Sequence, residues 1–247
     1  MLSEGVEAIV LDIEGTTTPI AFVYDVLFPF ARVHLRGFLQ NPGNAEALRE
    51  PLERLHEEWL VDADYGPPEG GHDVRHGEGE GDDVEWAVSY VEWLMDRDRK
   101  SPGLKLLQGR IWEGGYRAGV LKGEVFSDVP PALQRWRDAG LLVAIYSSGS
   151  ELAQRLIFGT TAYGDLTRFI SRFFDTAVGA KGAHASYRRI AAEVGCAPER
   201  LVFISDVTNE LDAAVSAGCG VILCLRPGNK PQPNHSYTEI SSFDEVR

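Results

Sequence analysis

Four short apolar runs most constrain the fold of this chain: VEAIVLD at 6–12, LLVAIYS at 141–147, RLVFISD at 200–206 and GVILCL at 220–225. Each is nearly continuous in Val, Ile, Leu and Phe rather than alternating with polar residues. That pattern belongs to strands covered on both faces, as in a parallel sheet. Helical stretches separate the later runs. One at 128–139 has Pro130 and Pro131 near its start and Gly140 after it, and others at 183–194 and 208–217 stop at Gly195 and Gly218. Pro in a first turn and Gly just past a last turn are ordinary helix boundaries. Strand alternating with helix predicts an α/β fold, a parallel-sheet Rossmann-like core with right-handed crossovers.

The interval from the first run to the second is too long for one crossover. Amphipathic stretches near 20–40, 45–61, 82–98 and 103–118 predict an inserted helical cap. The expected domains are a catalytic core of residues 1–19 and 120–247 and a cap of residues 20–119. Within the cap, residues 62–83 are rich in Gly and acid and almost without apolar side chains, which predicts a mobile surface loop between two helices. His72 and His76 have the spacing of metal ligands on a helix, but the glycines around them oppose a helix.

The ends of the strand-like runs carry the chemistry. Asp12 and Glu14 lie two residues apart, so on an extended backbone they point the same way. Two carboxylates in one small volume suit a hard cation. Gly15 and Thr16, next in the turn, offer N–H groups and a hydroxyl to an oxyanion. The second run ends in Ser147 and Ser148 and leads into a helix starting near Glu151, whose N-terminal N–H groups favour an anion. The third ends in Asp206, with Glu210 shortly after. Ligands of open parallel sheets bind at the carboxyl ends of the strands, so these residues are expected to meet. Each also has a plainer reading. Asp12 suits a turn before Gly, the serines and Asp206 suit helix caps, and Lys181 in AVGAKGAHASY suits a solvated loop. Their joint placement at matching topological positions favours a site.

Composition narrows the partners. A formal net charge of −13 over 247 residues excludes nucleic acid and anionic membrane surfaces as natural partners. A phosphate-handling site in such a field needs local positive charge, which Mg²⁺ and a lysine would supply. The odd set Cys196, Cys219 and Cys224 has no zinc-type spacing and reads as free thiols in a reducing compartment. The N-terminal MLSEGVEAIVLD lacks a basic n-region and a long apolar stretch, and nothing reaches the length of a membrane span. A soluble cytoplasmic protein is expected.

The pattern resembles the haloacid dehalogenase-like superfamily of phosphohydrolases. DIEGTT at 12–17 is similar to its first motif, the serine ending LLVAIYSS to its second, Lys181 to its third and SDVTNE to its fourth. Usual members carry a second Asp where this chain has Glu14. That departure resembles the enolase-phosphatase (acireductone synthase) branch, as do DIEGTTTPIAFV, DRDRKSPGLKLLQGRIWEGGY, IYSSGSELAQRLIFG, FFDTAVGAKGAHASYRRIA and the RPGN run at 226–229. The resemblance extends from about residue 6 to 229. It implies Asp12 as a nucleophile forming an aspartyl-phosphate, and Glu14 as general acid and then base. It implies one Mg²⁺ held by Asp12, Glu14 (through its backbone carbonyl) and Asp206, with Glu210 in support. Ser147, Ser148 and Lys181 would hold phosphate oxygens, and the DRDRK run at 96–100 would supply cap residues facing the site. The implied substrate is the small molecule 2,3-diketo-5-methylthiopentyl-1-phosphate of methionine salvage, converted by a monomer to acireductone and phosphate. The alternative is a generic small-molecule phosphatase of the same superfamily.

Overall fold

The computed structural model describes residues 2, 4–64 and 80–247, with the backbone alone for 80–83. The chain divides into two compact units: Met1–Val26 with Gly119–Arg247, and Leu27–Ala118. Residues 20–26, which the sequence grouped with the insertion, fall in the first unit.

The first unit is built on one parallel sheet. Its strands are β1 (Ala8–Leu11), β2 (Leu142–Tyr146), β3 (Arg172–Phe174), β4 (Leu201–Ser205), β5 (Gly220–Cys224) and β6 (Glu239–Ile240), in the order β3-β2-β1-β4-β5-β6. The four expected runs form the middle of the sheet, and β1 lies at its centre. Leu11 is in register with Ile145 on one side and Ile204 on the other. The residues that follow each strand therefore leave the sheet at one level. β3 and β6 were not expected from the sequence; with three residues and two, neither is long enough to show a hydrophobic pattern.

The continuous apolar runs have a simple cause. Ala8, Val10, Ala144, Tyr146, Leu201 and Phe203 pack with Tyr187, Ile190, Leu211 and Ala214 in one buried cluster. Ile9, Leu11, Val143, Ile145 and Ile204 alternate with them and are equally buried, so both faces of the sheet are covered.

Among the described residues the second unit has four α-helices: α1 (Phe28–Gln40), α2 (Ala45–Val61), α3 (Glu80–Asp96) and α4 (Pro102–Arg117). α2 and α4 approach closely at Gly103, where a Cβ would stand 2.7 Å from Leu55. Glu58 accepts from the Gly103 N–H and from Ser101, the N-cap of α4. α1 is tied to α3 by the Arg32–Asp96 and Arg36–Glu85 pairs. Asp96, Arg97 and Arg99 of the DRDRK run have partners inside this unit. Asp96 pairs with Arg32, Arg99 pairs with Asp62 and Asp64, and the guanidinium groups of Arg97 and Arg99 lie over Trp93. α3 begins at Glu80, inside the expected loop 62–83, most of which (65–79) lies outside the described residues. Acidic residue types suit a first helical turn, and this stretch has several. His72 and His76 lie outside the described residues.

The remaining α-helices among the described residues are α5 (Val129–Asp138), α6 (Glu151–Gly159), α7 (His184–Val194) and α8 (Thr208–Ala217). The last two end in left-handed Gly195 and Gly218, as their sequences require. No helix among the described residues is long and apolar enough to cross a membrane. Cys196, Cys219 and Cys224 are free thiols.

A buried ion pair secures the C-terminal segment of the first unit. Arg226 lies between the rings of Phe126 and Phe243 and meets Asp128 at 2.8 Å. Asp128 also accepts from the Phe243 N–H and the Ser242 hydroxyl. Burial pushes the Asp128 carboxyl up, but these donors outweigh it and hold it below the ordinary carboxylate value. A lowered native pKa stabilises the fold above the unfolded value, and the contribution fades as pH falls through the native one. Asp128→Asn is therefore expected to cost about 3 kcal/mol at pH 7. Thermal unfolding should show the gap from wild type narrowing as pH drops below the usual carboxylate range.

Candidate active site

Asp12 is the first residue past the central strand, and its N–H still bonds the Ile204 carbonyl at 3.0 Å. Its carboxylate is buried. Lys181 Nζ stands 2.6 Å from Asp12 Oδ1 and 2.7 Å from Glu210 Oε2. Ser205, the last residue of β4, places its hydroxyl 3.2 Å from Asp12 Oδ2 and 2.9 Å from Glu210 Oε2. Glu14 reaches the β2 end, where Ser147 Oγ donates to its Oε2 at 3.3 Å. Asp206 approaches the same turn. A Cβ built on Gly15 would stand 2.5 Å from Asp206 Oδ2, and Gly15 has φ +71°, so only glycine fits there.

The structure thus brings together Asp12, Glu14, Ser147, Lys181, Asp206 and Glu210. Ser148 differs: it is exposed and makes no side-chain hydrogen bond among the described residues. The plainer readings are settled in part. Ser147 does serve its own turn, accepting from the Gly149 N–H at 3.0 Å, while Ser150 caps α6. Asp206 is not a helix cap, since α8 is entered through Val207 and the Thr208 N–H is taken by Gln232. Lys181 is not a solvated lysine; its side chain is 12% exposed.

Three hydroxyls hold the loop that delivers Lys181. Tyr146 donates to the Gly179 carbonyl at 2.9 Å, Ser186 to the Ala180 carbonyl at 2.8 Å, and Tyr187 to the Lys181 carbonyl at 2.7 Å. The two tyrosines meet edge to face with ring centroids 5.6 Å apart, inside the core. The ammonium is therefore positioned by the sheet and α7 together.

Four carboxyl groups surround this one ammonium, and the electrostatics follow. Burial disfavours the Lys181 charge, but Asp12, Glu210 and Glu14 more than offset this and hold its pKa above the ordinary value. Burial, with Asp12 adding repulsion, pushes Asp206 up to about 7 and raises Glu210 as well. Glu14 is raised by burial and then by Asp12, against the pull of Lys181.

The donors are hard oxygens carrying excess negative charge, which fits a divalent cation. Among the described residues no three acidic, His or Cys side chains are placed to hold a metal ion between them. A cation here would draw on two carboxylates together with main-chain or amide oxygens. One amide oxygen is at hand: Asn229 Oδ1 is buried without a hydrogen-bond partner. Sequence reasoning missed Asn229, Ser205 and the tyrosines. Asn229 sits in the RPGN run, whose Pro-Gly marks a turn but no chemistry, and Tyr187 reads as core.

Comparison with known proteins agrees with this arrangement. The family model described as a haloacid dehalogenase-like hydrolase matches residues 6–218. The enolase-phosphatase E1 of Synechococcus elongatus is 46% identical over 245 residues, covering 99% of each chain. The chain belongs to the enolase-phosphatase family of haloacid dehalogenase-like hydrolases. A Vitis vinifera protein described as a probable bifunctional methylthioribulose-1-phosphate dehydratase/enolase-phosphatase is 44% identical over 96% of this chain and 46% of its own. Among solved structures, the UTR4 protein of Saccharomyces cerevisiae aligns with TM-score 0.76 and 30% identity over 97% of this chain and 99% of that one. A dehalogenase at 17% identity and TM-score 0.53 shares the fold alone.

The tyrosine support can be tested directly. Tyr187→Phe leaves the Lys181 carbonyl without its donor, which is expected to cost about 1–3 kcal/mol. Thermal unfolding measures that loss, and phosphate-release assays should show kcat/KM falling with it as Lys181 shifts.

Proposed function

We propose that the protein is the enolase-phosphatase of methionine salvage, converting 2,3-diketo-5-methylthiopentyl-1-phosphate to acireductone and phosphate. The observation that carries this reading is the pair at the tip of β1: an ion-paired Asp12 carboxylate beside a Glu14 carboxyl that accepts from Ser147. The end-to-end likeness to the Synechococcus enolase-phosphatase supports the choice of substrate.

Asp12 is the nucleophile. A carboxylate oxygen of Asp12 bonds to phosphorus as the bond from phosphorus to the substrate oxygen breaks, giving an aspartyl-phosphate. The substrate is by then an enol phosphate, its C1 having lost a proton and its C2 carbonyl oxygen having gained one, and Glu14 delivers its proton to the departing C1 oxygen. The Glu14 carboxylate then takes a proton from water as the water oxygen attacks phosphorus. The bond from phosphorus to Asp12 breaks, and free phosphate and the starting carboxylate remain. Ser147 orients Glu14 through its hydrogen bond. Lys181 and the exposed Ser148 bind phosphate oxygens. Asp12, Asp206 and the Glu14 backbone carbonyl would hold Mg²⁺, with Glu210 in support. Bound there, the cation supplies positive charge against the phosphate dianion and the developing enolate oxygen. The free thiols and the −13 net charge favour a cytoplasmic enzyme that acts as a monomer on a small molecule.

Purified protein with the diketo phosphate, assayed for phosphate and for the acireductone absorbance, tests the reading. Both products should form with Mg²⁺ and neither with a chelator; equal turnover in the chelator would reject the metal. Asp12→Asn should lower turnover by about a thousandfold or more while leaving the protein folded. Glu14→Gln should lower it by about a hundredfold or more. Phosphate release from simple esters without any from the diketo phosphate would reject the substrate.

A further inference from the structure

We propose that Asn229 is a positioning residue of the cation site, gripping the nucleophile turn with its amide N–H groups and adding its amide oxygen to the cation's surroundings beside Asp206. The inference rests on the Mg²⁺-dependent reading above.

The argument begins in the turn that carries Asn229. In Arg226-Pro227-Gly228-Asn229 the Asn229 N–H bonds the Arg226 carbonyl at 3.1 Å, and Gly228 has φ +90°. Pro followed by a glycine at positive φ is the sequence of a type II turn, which points its first and last side chains from a rigid base. Arg226 Nε reaches the Thr16 carbonyl at 3.2 Å, and Asn229 Nδ2 reaches the Gly15 carbonyl at 2.9 Å. The turn thus holds two successive carbonyls of the segment that follows Asp12 and Glu14. Asn229 Nδ2 also donates to the Cys224 carbonyl at 3.2 Å, at the end of β5.

Those partners settle which way the amide faces. Both are carbonyl oxygens, so the NH₂ group must point to them and the oxygen must point away. Asn229 Oδ1 is then buried with no donor. It approaches the same side of Gly15 as Asp206 Oδ2: a Cβ there would stand 2.8 Å from the first and 2.5 Å from the second. Two acceptor oxygens sharing a dry volume repel each other unless a cation, or water bound to one, lies between them. A neutral amide oxygen suits a site already rich in carboxylates, because it adds a ligand without adding charge. The missing side chain of Gly15 keeps that volume open.

The test measures Mg²⁺ binding by the whole protein without turnover. Calorimetry and the Mg²⁺-dependent rise of the thermal midpoint are compared for wild type, Asn229→Ala and Asn229→Asp. Wild type is expected to bind. Asn229→Ala should bind about tenfold or more weakly, as when other outer partners of a metal site are removed. Asn229→Asp keeps an oxygen at the position and should bind at least as tightly as wild type. Equal affinity in wild type and Asn229→Ala overturns the proposal and leaves the functional reading standing. Absence of Mg²⁺ binding by wild type overturns both. If Asn229→Ala does not fold, Asn229→Leu, similar in shape but without the amide oxygen, takes its place: weakened Mg²⁺ binding supports the assignment, and wild-type affinity overturns it.

Discussion

The charge balance at the tip of β1 is the constraint on which the rest of the structure depends. Asp12, Glu14, Asp206 and Glu210 gather around the single ammonium of Lys181, which lies 2.6 Å from Asp12 and 2.7 Å from Glu210. Removing that many carboxylates from water is costly unless each has a partner. The fold spends much of its polar structure on supplying partners. The Ser205 hydroxyl lies between Asp12 and Glu210, Ser147 steadies Glu14, and three hydroxyls hold the loop that brings Lys181 in. Burial, with repulsion from Asp12 added, raises Glu14, Asp206 and Glu210. The same imbalance makes the site receptive to a divalent cation.

This local arrangement also answers the global field. A chain of net charge −13 repels phosphate at long range, but screening limits that repulsion to about a Debye length. Within the site, at hydrogen-bond distances and low dielectric, one buried lysine outweighs remote surface charge. Acidity therefore keeps the surface clear of polyanions without disabling the centre.

Much of this was legible in the sequence because parallel strands buried on both faces must be written as unbroken apolar runs. The four middle strands, the helices that follow them and the residues at their ends were read from that pattern, and Asp12, Glu14, Ser147, Lys181 and Asp206 do converge. The edge strands β3 and β6 escaped notice because three residues and two cannot display a period. The helix α3 begins inside the expected loop, where composition argued for irregular chain and local electrostatics for a helix end. Ser148 lies apart from the hydrogen-bonded group, a distinction that adjacent identical residues cannot reveal.

The sequence by itself determined the α/β class, the acidic turn at Asp12 and Glu14 and, through resemblance at Glu14 and the runs around it, the branch of the family to which the chain belongs. These are local properties: a strand end, a two-residue spacing and a choice of acid over a few residues. Only the tertiary structure decided what faces those acids. The β1 register beside Ile145 and Ile204, the tyrosines beneath Lys181 and the amide of Asn229 against Gly15 join residues far apart in the chain. Hydrogen-bond direction and burial exist only once those segments meet. Until the sheet assembles, Asn229 is a turn residue and Tyr187 a core residue; within it, they shape the site.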